Sequence, residues 1–301
     1  MKYCSIILFC WIFAATAAFA EMITEEADGA LIVKKSSTDE VKLFFRQHPY
    51  DYTKAGAEIP RIYFQHLPYD WRDSPENAAK NRTFIRILLP LVLKINEEIT
   101  AERSELMRMY KKIRETGALT VAEYGVIDTT AEKYDAFTTI KEQPSRARVL
   151  IKQLLEKVDI IPASIMISTA IIYSDWGKSR LATEENSLYR EEVWYTNQGV
   201  RPKDDPDSDY RYKVFSNLED SIRARALHIN SSIDYDYFRH TRLFQRRMSQ
   251  APNGVNVAAQ MMHDSNLKNI GGMIDYTLSY YKLAYTDQYP QLIDYKSADK
   301  H

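Results

Sequence analysis

The sequence predicts a mainly α-helical protein that carries one small β-hairpin. Three observations support this expectation. Beyond Thr83, apolar residues recur at spacings of three and four over long stretches. Capping signals of the type Ser/Thr-x-x-Glu stand before some of these stretches. The runs with strand-like composition in the second half of the chain are short, at residues 193–196 and 212–215.

Composition limits the function classes. The chain has 301 residues, of which 45% are hydrophobic and 12% aromatic. Such a chain can bury a sizeable core and does not have the composition of a disordered protein. Forty Lys and Arg residues against 41 Asp and Glu residues give a net charge of −1. No basic excess is present to hold nucleic-acid phosphates, so we expect no nucleic-acid partner.

The first 20 residues have the pattern of a secretory signal peptide. Lys2 precedes an apolar run at 6–18, and an A-x-A cleavage pattern ends at Ala20. The run is shorter than the ~20 residues of a membrane-spanning helix. The alternative interpretation is a buried helix or a membrane anchor. Cys4 and Cys10 both lie in this segment, so cleavage near Ala20 leaves a cysteine-free chain. We expect an exported protein, periplasmic or secreted, with no transmembrane segment in the mature chain.

The next two segments differ in their periodicity. Residues 21–82 contain prolines and aromatic clusters without a sustained period. This pattern predicts an extended N-terminal arm with a short helix or two. The arm would either pack against the main body or bind a partner. Residues 83–157 form the predicted helical region. Its first helix covers about 84–117 and is expected to kink at Pro90, and two shorter helices follow behind Thr120 and from about Pro144.

Residues 158–290 are predicted to form a second helical domain. Its central helix begins behind Pro162, is apolar on nearly every face, and ends at Trp176-Gly177, where the glycine can take a left-handed cap. A polar stretch at 183–212 holds the predicted hairpin or a long loop. Further helices are expected near 217–231, 235–249, 255–264 and 273–287, and residues 291–301 form a polar tail.

Several motifs in this domain resemble those of the peptidoglycan N-acetylglucosaminidases of glycoside hydrolase family 73. Residues 158–164 (VDIIPAS), 174–182 (SDWGKSRLA) and 186–189 (NSLY) correspond to the family's IP-S, A-x-E-S-G-W-G-x-S-x-L-A and N-N-L-F-G elements. The chain is most similar to the exported Bax-type branch, which is related to the flagellar muramidases. The resemblance covers about 70–288. It implies a lysozyme-like α+β fold, with a helical N-terminal region, a glucosaminidase-like helical domain and a small β-hairpin lobe.

The same resemblance indicates that the chemistry has changed. The family's general acid is the Glu immediately before Ser-Gly-Trp-Gly, and here that position is Tyr173. A glycosidase acid must donate a proton readily, and a phenol with a pKa near ~10 is a far weaker acid than a carboxyl. Asp175 and Glu185 are the fallback carboxylates. On a continuous helix Asp175 would point about 200° away from Tyr173, and so away from the groove in which the acid acts. This argument against Asp175 weakens if the helix has already ended.

Other departures affect the groove implied by the resemblance. Two family glycines are replaced, by Asp175 and Arg190, which adds bulk. Asp264 is the predicted occupant of the family's groove tyrosine position, with the register left open by an insertion. The predicted groove and ligand-binding residues are Tyr173, Ser174, Trp176, Asn186, Tyr189, Trp194 and Tyr195.

Cofactor chemistry finds no support in the sequence. The six histidines do not pair at metal-ligand spacing, and neither a glycine-rich phosphate loop nor a G-x-S-x-G motif occurs. We therefore predict no metal and no cofactor. Two hypotheses remain. The favoured one is a catalytically degenerate protein that binds the peptidoglycan glycan strand or an envelope protein complex, and the alternative is an active endo-β-N-acetylglucosaminidase that uses a non-standard carboxylate.

Overall fold

The structure is a computed structural model that describes residues 22–136, 143–261, 271–288 and 290–300. The predicted signal peptide and Asp264 lie outside these residues. The helices are α1 (Thr38–Gln47), α2 (Ala78–Thr116), α3 (Val121–Lys133), α4 (Pro144–Lys157), α5 (Ala163–Ser174), α6 (Arg180–Glu185), α7 (Leu218–Ser231), α8 (Asp236–Arg247), α9 (Gly254–Met261) and α10 (Gly271–Tyr280). The strands are β1 (Ile23–Ala27), β2 (Ala30–Lys35), β3 (Glu58–Pro60), β4 (Ile62–Phe64), β5 (Glu192–Trp194), β6 (Tyr210–Tyr212) and β7 (Gln291–Ile293).

This architecture confirms the predicted mainly α, lysozyme-like α+β fold. The small β-hairpin lobe is formed by β5 and β6, which pair antiparallel with Val193 opposite Arg211. Short 3₁₀ segments lie at Ile233–Tyr235, Leu283–Asp287 and Tyr295–Lys300. In the part of the chain that the structure describes, no helix combines the length and the apolar character needed to cross a membrane.

The N-terminal segment differs from the extended arm that the sequence predicts. Strands β1 and β2 form an antiparallel hairpin, and β4 adds to β2 in parallel. Helix α1 lies between β2 and β3 and begins at a capping box of Ser37 and Glu40. Apolar side chains such as Val33, Phe45 and Phe64 are at most 3% exposed. The strands have only three to six residues, too few for a clear alternation, so periodicity could not reveal them.

The C-terminal segment also joins this unit. Strand β7 pairs in parallel with β3, so that Leu292 lies opposite Ile59. The backbone N–H of Tyr295 donates to the carbonyl of Gly29 at 3.1 Å. The predicted polar tail is therefore packed against the N-terminal sheet region.

The long helix α2 is the element on which the other parts pack. It begins at Ala78, nearly two turns before the predicted start at about residue 84, because the Asn77 side chain accepts a hydrogen bond from the backbone N–H of Lys80. Its first half, around Pro90, is buried on nearly every face, whereas its second half buries a single stripe. It ends at Gly117, whose φ of 73° gives the left-handed cap.

An arginine network fixes the junction between α4 and α5. Asp159 lies between these helices, is 2% exposed, and accepts hydrogen bonds from Arg246 at 2.7 and 3.0 Å. The fully buried Arg242 donates to the backbone carbonyls of Asp159 and Ile160, both at 2.9 Å. Because α8 carries both arginines, this network sets the direction in which α5 enters the core.

Helix α5 crosses the core, with Ile165, Ile167 and Ala170 fully buried. Its N-terminus is capped by the carboxylate of Asp287, which accepts from the backbone N–H of Ser164 at 3.0 Å and from that of Gly254 at 2.7 Å. One carboxylate therefore joins the starts of α5 and α9. The C-terminus of α5 carries the candidate site.

Candidate functional site

The candidate site begins where α5 ends, at Ser174. Three left-handed residues follow: Asp175 with φ 50°, Trp176 with φ 56° and Gly177 with φ 76°. The helix cap is therefore Asp175, not the glycine that the sequence predicted. The Ser174 hydroxyl closes this turn, since it accepts from the Gly177 N–H at 2.8 Å and donates to the Ala170 carbonyl at 2.6 Å.

Gly177 is required by packing as well as by its backbone angle. A Cβ at this position would lie 2.7 Å from a ring carbon of Phe84 and 2.8 Å from a methyl group of Leu67. The indole nitrogen of Trp71 donates to the Trp176 carbonyl at 2.9 Å. The end of α5 is thus held against α2 and the N-terminal segment, which fixes the position of the nearby Tyr173.

Tyr173 lies in the last turn of α5, half-buried, and faces an arginine from α7. The guanidinium carbon of Arg225 is 5.7 Å from the ring centroid of Tyr173, 5.7 Å from that of Tyr189 and 5.3 Å from that of Tyr235. These distances allow cation–π interactions with all three rings. We call Tyr173, Tyr189 and Tyr235 the tyrosine cage. The cage encloses a cation that is only 5% exposed.

The caged arginine keeps its charge although it is buried. Burial opposes the charged form, but the neighbouring Tyr235 and Glu191 outweigh it and raise the pKa of Arg225. Among the described residues, its Nε and Nη2 atoms have no hydrogen-bond partner. Burial and, next, the charge of Arg225 lower the pKa of His228 on the same helix. The centre of the site is therefore cationic.

Glu191 is the carboxylate that acts as a counter-charge to this cation. It is 8% exposed, and one of its oxygens lies 3.3 Å from the ammonium nitrogen of Lys213. The other oxygen, Oε1, has no hydrogen-bond partner within the described ranges. Glu191 was not among the predicted site residues, and the structure buries it beside the tyrosine cage.

The two fallback carboxylates stand in different settings. Asp175 is exposed and lies beyond the helix end, so the 200° rotation argument does not apply to it. Glu185 is half-buried and lies 3.6 Å from Arg180, measured between carboxylate oxygen and guanidinium nitrogen. Its backbone carbonyl accepts from the Phe215 N–H at 3.0 Å. Glu185 therefore connects α6 to the segment that leads into α7.

Three of the predicted groove residues are buried: Ser174, Asn186 and Tyr189. The Asn186 amide donates to the Phe215 carbonyl at 3.0 Å, and its oxygen lies 3.1 Å from Nδ1 of His66. Tyr189, at 2% exposed, donates its hydroxyl to the Met166 carbonyl and belongs to the cage. In this structure these three side chains support the site from within and offer no free face to a sugar.

The hairpin lobe carries the exposed aromatic residues. Trp194 is 54% exposed and Tyr195 is 85% exposed, the latter with a left-handed φ of 53°. The ring of Tyr210 lies beside Trp194 with centroids 5.2 Å apart, and Tyr212 contacts Tyr210 at 5.5 Å. Tyr210 and Tyr212 were not among the predicted residues. We call Trp194, Tyr195, Tyr210 and Tyr212 the hairpin aromatic strip.

Trp176 belongs to a different aromatic run. Its ring packs between Phe84 at 6.0 Å and Tyr281 at 4.7 Å, measured between ring centroids. The run continues through Tyr280 to Tyr276, which are 63% and 59% exposed and stacked on each other. Trp176 therefore joins the candidate site to the exposed face of α10.

One cluster has the composition of a cation site. Glu156, Asp236 and His240 bring one ligand atom each within 4.8 Å of one another. The two histidine nitrogens already face carboxylates, Glu156 at 3.0 Å and Asp236 at 3.6 Å. These contacts account for the cluster, which lies on α4 and α8. Asp236 and His240 lie four residues apart on α8, but Glu156 comes from α4, so sequence spacing alone did not reveal the cluster.

The tyrosine cage was also missed at the sequence level, although one signal was present. Arg225 follows Leu218 and Ile222 at spacings of seven and three and precedes Ile229 by four. It therefore lies on the buried stripe of α7, where a charged residue is unusual unless it is paired or has a special environment. Its neighbours Tyr173 and Tyr189 come from other elements and could not be identified from this spacing.

Comparisons with known proteins agree with the fold. The Glucosaminidase family, described as mannosyl-glycoprotein endo-beta-N-acetylglucosaminidase, matches residues 149–293. The chain is 29% identical over 182 residues to Protein bax of Escherichia coli (strain K12), an alignment that spans 60% of this chain and 62% of that protein. No solved structure matches. The family match and this relative support a Bax-like, glucosaminidase-type fold.

Proposed function

We propose that this chain is an exported glucosaminidase-fold protein that binds the peptidoglycan glycan strand without hydrolysing it. The observation that carries the proposal is the residue at the end of α5. Where the family resemblance places a general acid, the chain has Tyr173, whose ring faces the buried cation of Arg225. A phenol is a far weaker acid than the carboxyl of the family's general acid, and it is therefore a poor proton donor to a glycosidic oxygen.

The exposed aromatic residues support a role in glycan binding. The hairpin aromatic strip presents Trp194 and Tyr195 to solvent, and Tyr210 packs beside Trp194. Aromatic rings bury large apolar area and, when held rigidly, lose little conformational entropy on binding. The apolar face of a sugar ring is a suitable ligand for such a surface. An envelope protein complex is the alternative ligand, and sedimentation with purified sacculi separates the two.

The proposal includes export. The pattern of residues 1–20 favours a cleaved signal peptide and a periplasmic or secreted mature protein. Export would bring the chain to the compartment where peptidoglycan lies. Mass determination of the mature protein, with cleavage after Ala20 as the expected result, tests this part on its own.

Binding is tested by sedimentation with purified sacculi. Residues 21–301 are expected to appear in the pellet, and Trp194→Ala together with Tyr195→Ala is expected to reduce the bound fraction at least several-fold. Phe244→Ala is the matched control. It also removes an exposed aromatic ring, but from α8 and not from the hairpin aromatic strip. Absence of the wild-type protein from the pellet would refute glycan binding and point to a protein partner.

Hydrolysis is tested in the same preparation by release of soluble muropeptides. We expect no release above a buffer control. The competing hypothesis is an active hydrolase in which Asp175 or Glu185 replaces the family's acid. Release that is abolished by Asp175→Asn or by Glu185→Gln would establish that alternative and refute the non-catalytic role.

A further inference from the structure

We propose that Arg225 is a second determinant of the lost acid function, because its buried charge would hold a carboxyl at position 173 in the ionised form. This inference rests on the proposed non-catalytic function and extends it from one residue to a pair. Restoring the family's residue at position 173 would then not restore a proton donor. The chain would need a change at Arg225 as well.

Distance and burial carry the argument. The guanidinium carbon of Arg225 lies 5.7 Å from the centre of the Tyr173 ring, and the arginine is only 5% exposed. A charge within about 4–6 Å favours the oppositely charged form of a carboxyl and lowers its pKa by about 1–3. Water screens this effect weakly at a buried site. A carboxyl at the end of α5 would therefore be a carboxylate.

The hydrogen-bonding state of Arg225 strengthens this effect. Its Nε and Nη2 atoms have no partner in the described part of the chain. A carboxylate that replaced the Tyr173 ring could accept from these free donors, and hydrogen bonding to the charged form lowers the pKa further. Tyrosine suits the present arrangement because its ring faces the cation without needing a charge of its own.

Other charged groups around Arg225 do not cancel its field. Glu191 is the acidic group that acts on it, and Glu191 is already 3.3 Å from Lys213. The lowered pKa of His228, caused first by burial and then by Arg225, has the direction expected for a net positive centre. Burial raises the pKa of Tyr189 and of Tyr235, so these two rings add no negative charge that would offset the field of Arg225.

The experiment measures the pKa of the introduced carboxyl directly. Tyr173→Glu is made in residues 21–301 with ¹³C-labelled glutamate, and the carboxyl is titrated by NMR. Its pKa is expected to lie below the ordinary glutamate value of about 4.3. Adding Arg225→Gln should raise it by about 1–3, whereas adding Arg225→Lys, which retains the charge, should leave it low. Arg247→Gln, an exposed arginine of α8, is the control and should not change it.

The outcomes separate this inference from the proposed function. A pKa of about 4.3 or higher in Tyr173→Glu alone would overturn the inference, as would equal pKa values with and without Arg225→Gln. The single variant is a sufficient test if the double variant fails to fold, which circular dichroism would show. Hydrolysis of sacculi by the unaltered chain would instead refute the proposed function, whatever the pKa of the introduced carboxyl.

Discussion

Two residues near the site, Asp175 and Arg190, occupy positions where the family resemblance has glycine. Both have left-handed backbone angles, with φ of 50° and 51°. Glycine adopts this region without a steric penalty, whereas for an L-residue with a Cβ it costs about 1–2 kcal/mol. The backbone at both positions thus has the conformation that glycine adopts most readily. Asp tolerates the left-handed region better than Arg, so the strain is greater at Arg190.

We therefore expect Arg190→Gly to stabilise the protein. The free energy of unfolding should rise by about 1 kcal/mol, since removal of the Cβ relieves the strain and the side chain is exposed. Urea unfolding followed by circular dichroism measures the change. Lys203→Gly is the matched control, because Lys203 is exposed and does not have a positive φ. The control should be neutral or destabilising, and an equal stabilisation of both variants would contradict the argument.

At the same scale, the sequence predicts the site only in part. The motif spacing identified Tyr173, and the structure places it in the last turn of α5. The partners of Tyr173 were beyond sequence reasoning, because Arg225 and Tyr235 come from α7 and a 3₁₀ segment and meet it only after folding. The burial of Tyr189 also depends on tertiary packing. A motif can therefore single out a residue without showing what surrounds it in the folded chain.

At the scale of elements, the helices were predictable because local signals specify them. The Thr120 and Glu123 capping box opens α3 as expected, and α7 begins behind Asn217, within one residue of the prediction. Strands β1 to β4 were not predicted. They are short, and β2 and β4 pair in parallel across an intervening helix, so no local pattern identifies the partners.

The junction between α4 and α5 is the element contact whose loss should matter most. Burial alone would raise the pKa of Asp159, but the hydrogen bonds from Arg246 and the charges of Arg242 and Arg103 outweigh it and hold the pKa below its ordinary value. Asp159→Asn would leave these buried arginines without their counter-charge. We expect the free energy of unfolding at pH 7 to fall by about 3–5 kcal/mol.

The pH dependence of this loss has a definite sign. A carboxyl whose pKa is lower in the folded state contributes stability above its unfolded pKa of about 3.9, and that stability is lost as the pH falls through the folded value. The difference in the free energy of unfolding between wild type and Asp159→Asn should therefore be largest at pH 7 and become smaller below about pH 4. Urea unfolding at several pH values measures it, with the exposed Asp205→Asn as control. A pH-independent difference would show that packing, not charge, sets the loss.

At the scale of the whole molecule, the two ends of the described chain form one packed region. Strand β7 pairs with β3, Tyr295 donates its backbone N–H to Gly29, and the backbone N–H of Gly56 donates to the Gln288 carbonyl at 2.7 Å. Sequence patterns could not predict this pairing, because each strand has three residues and the partners come from opposite ends of the chain. The entropy cost of closing so long a loop is offset by burial, not by local preference.

This packing predicts that the last residues are needed for the stability of the N-terminal sheet region. Deletion of residues 291–301 should lower the free energy of unfolding by about 2–4 kcal/mol, since it uncovers Ile59 and removes Leu292 and Tyr295 from the core. Urea unfolding followed by tryptophan fluorescence and by circular dichroism measures the loss. Tryptophan fluorescence reports on Trp71 in the N-terminal segment as well as on Trp176 and Trp194, whereas the helices dominate circular dichroism. Coincident transitions would therefore show that the parts unfold together.

The control for this deletion is Lys296→Ala, which removes an exposed side chain that pairs with the exposed Glu26 but leaves β7 in place. Its unfolding midpoint should equal that of the wild type. Leu292→Asp is expected to reproduce most of the deletion's effect, because it places a charge against the core beside Ile59 without shortening the chain. A deletion variant as stable as the wild type would mean that β7 contacts the N-terminal region without stabilising it.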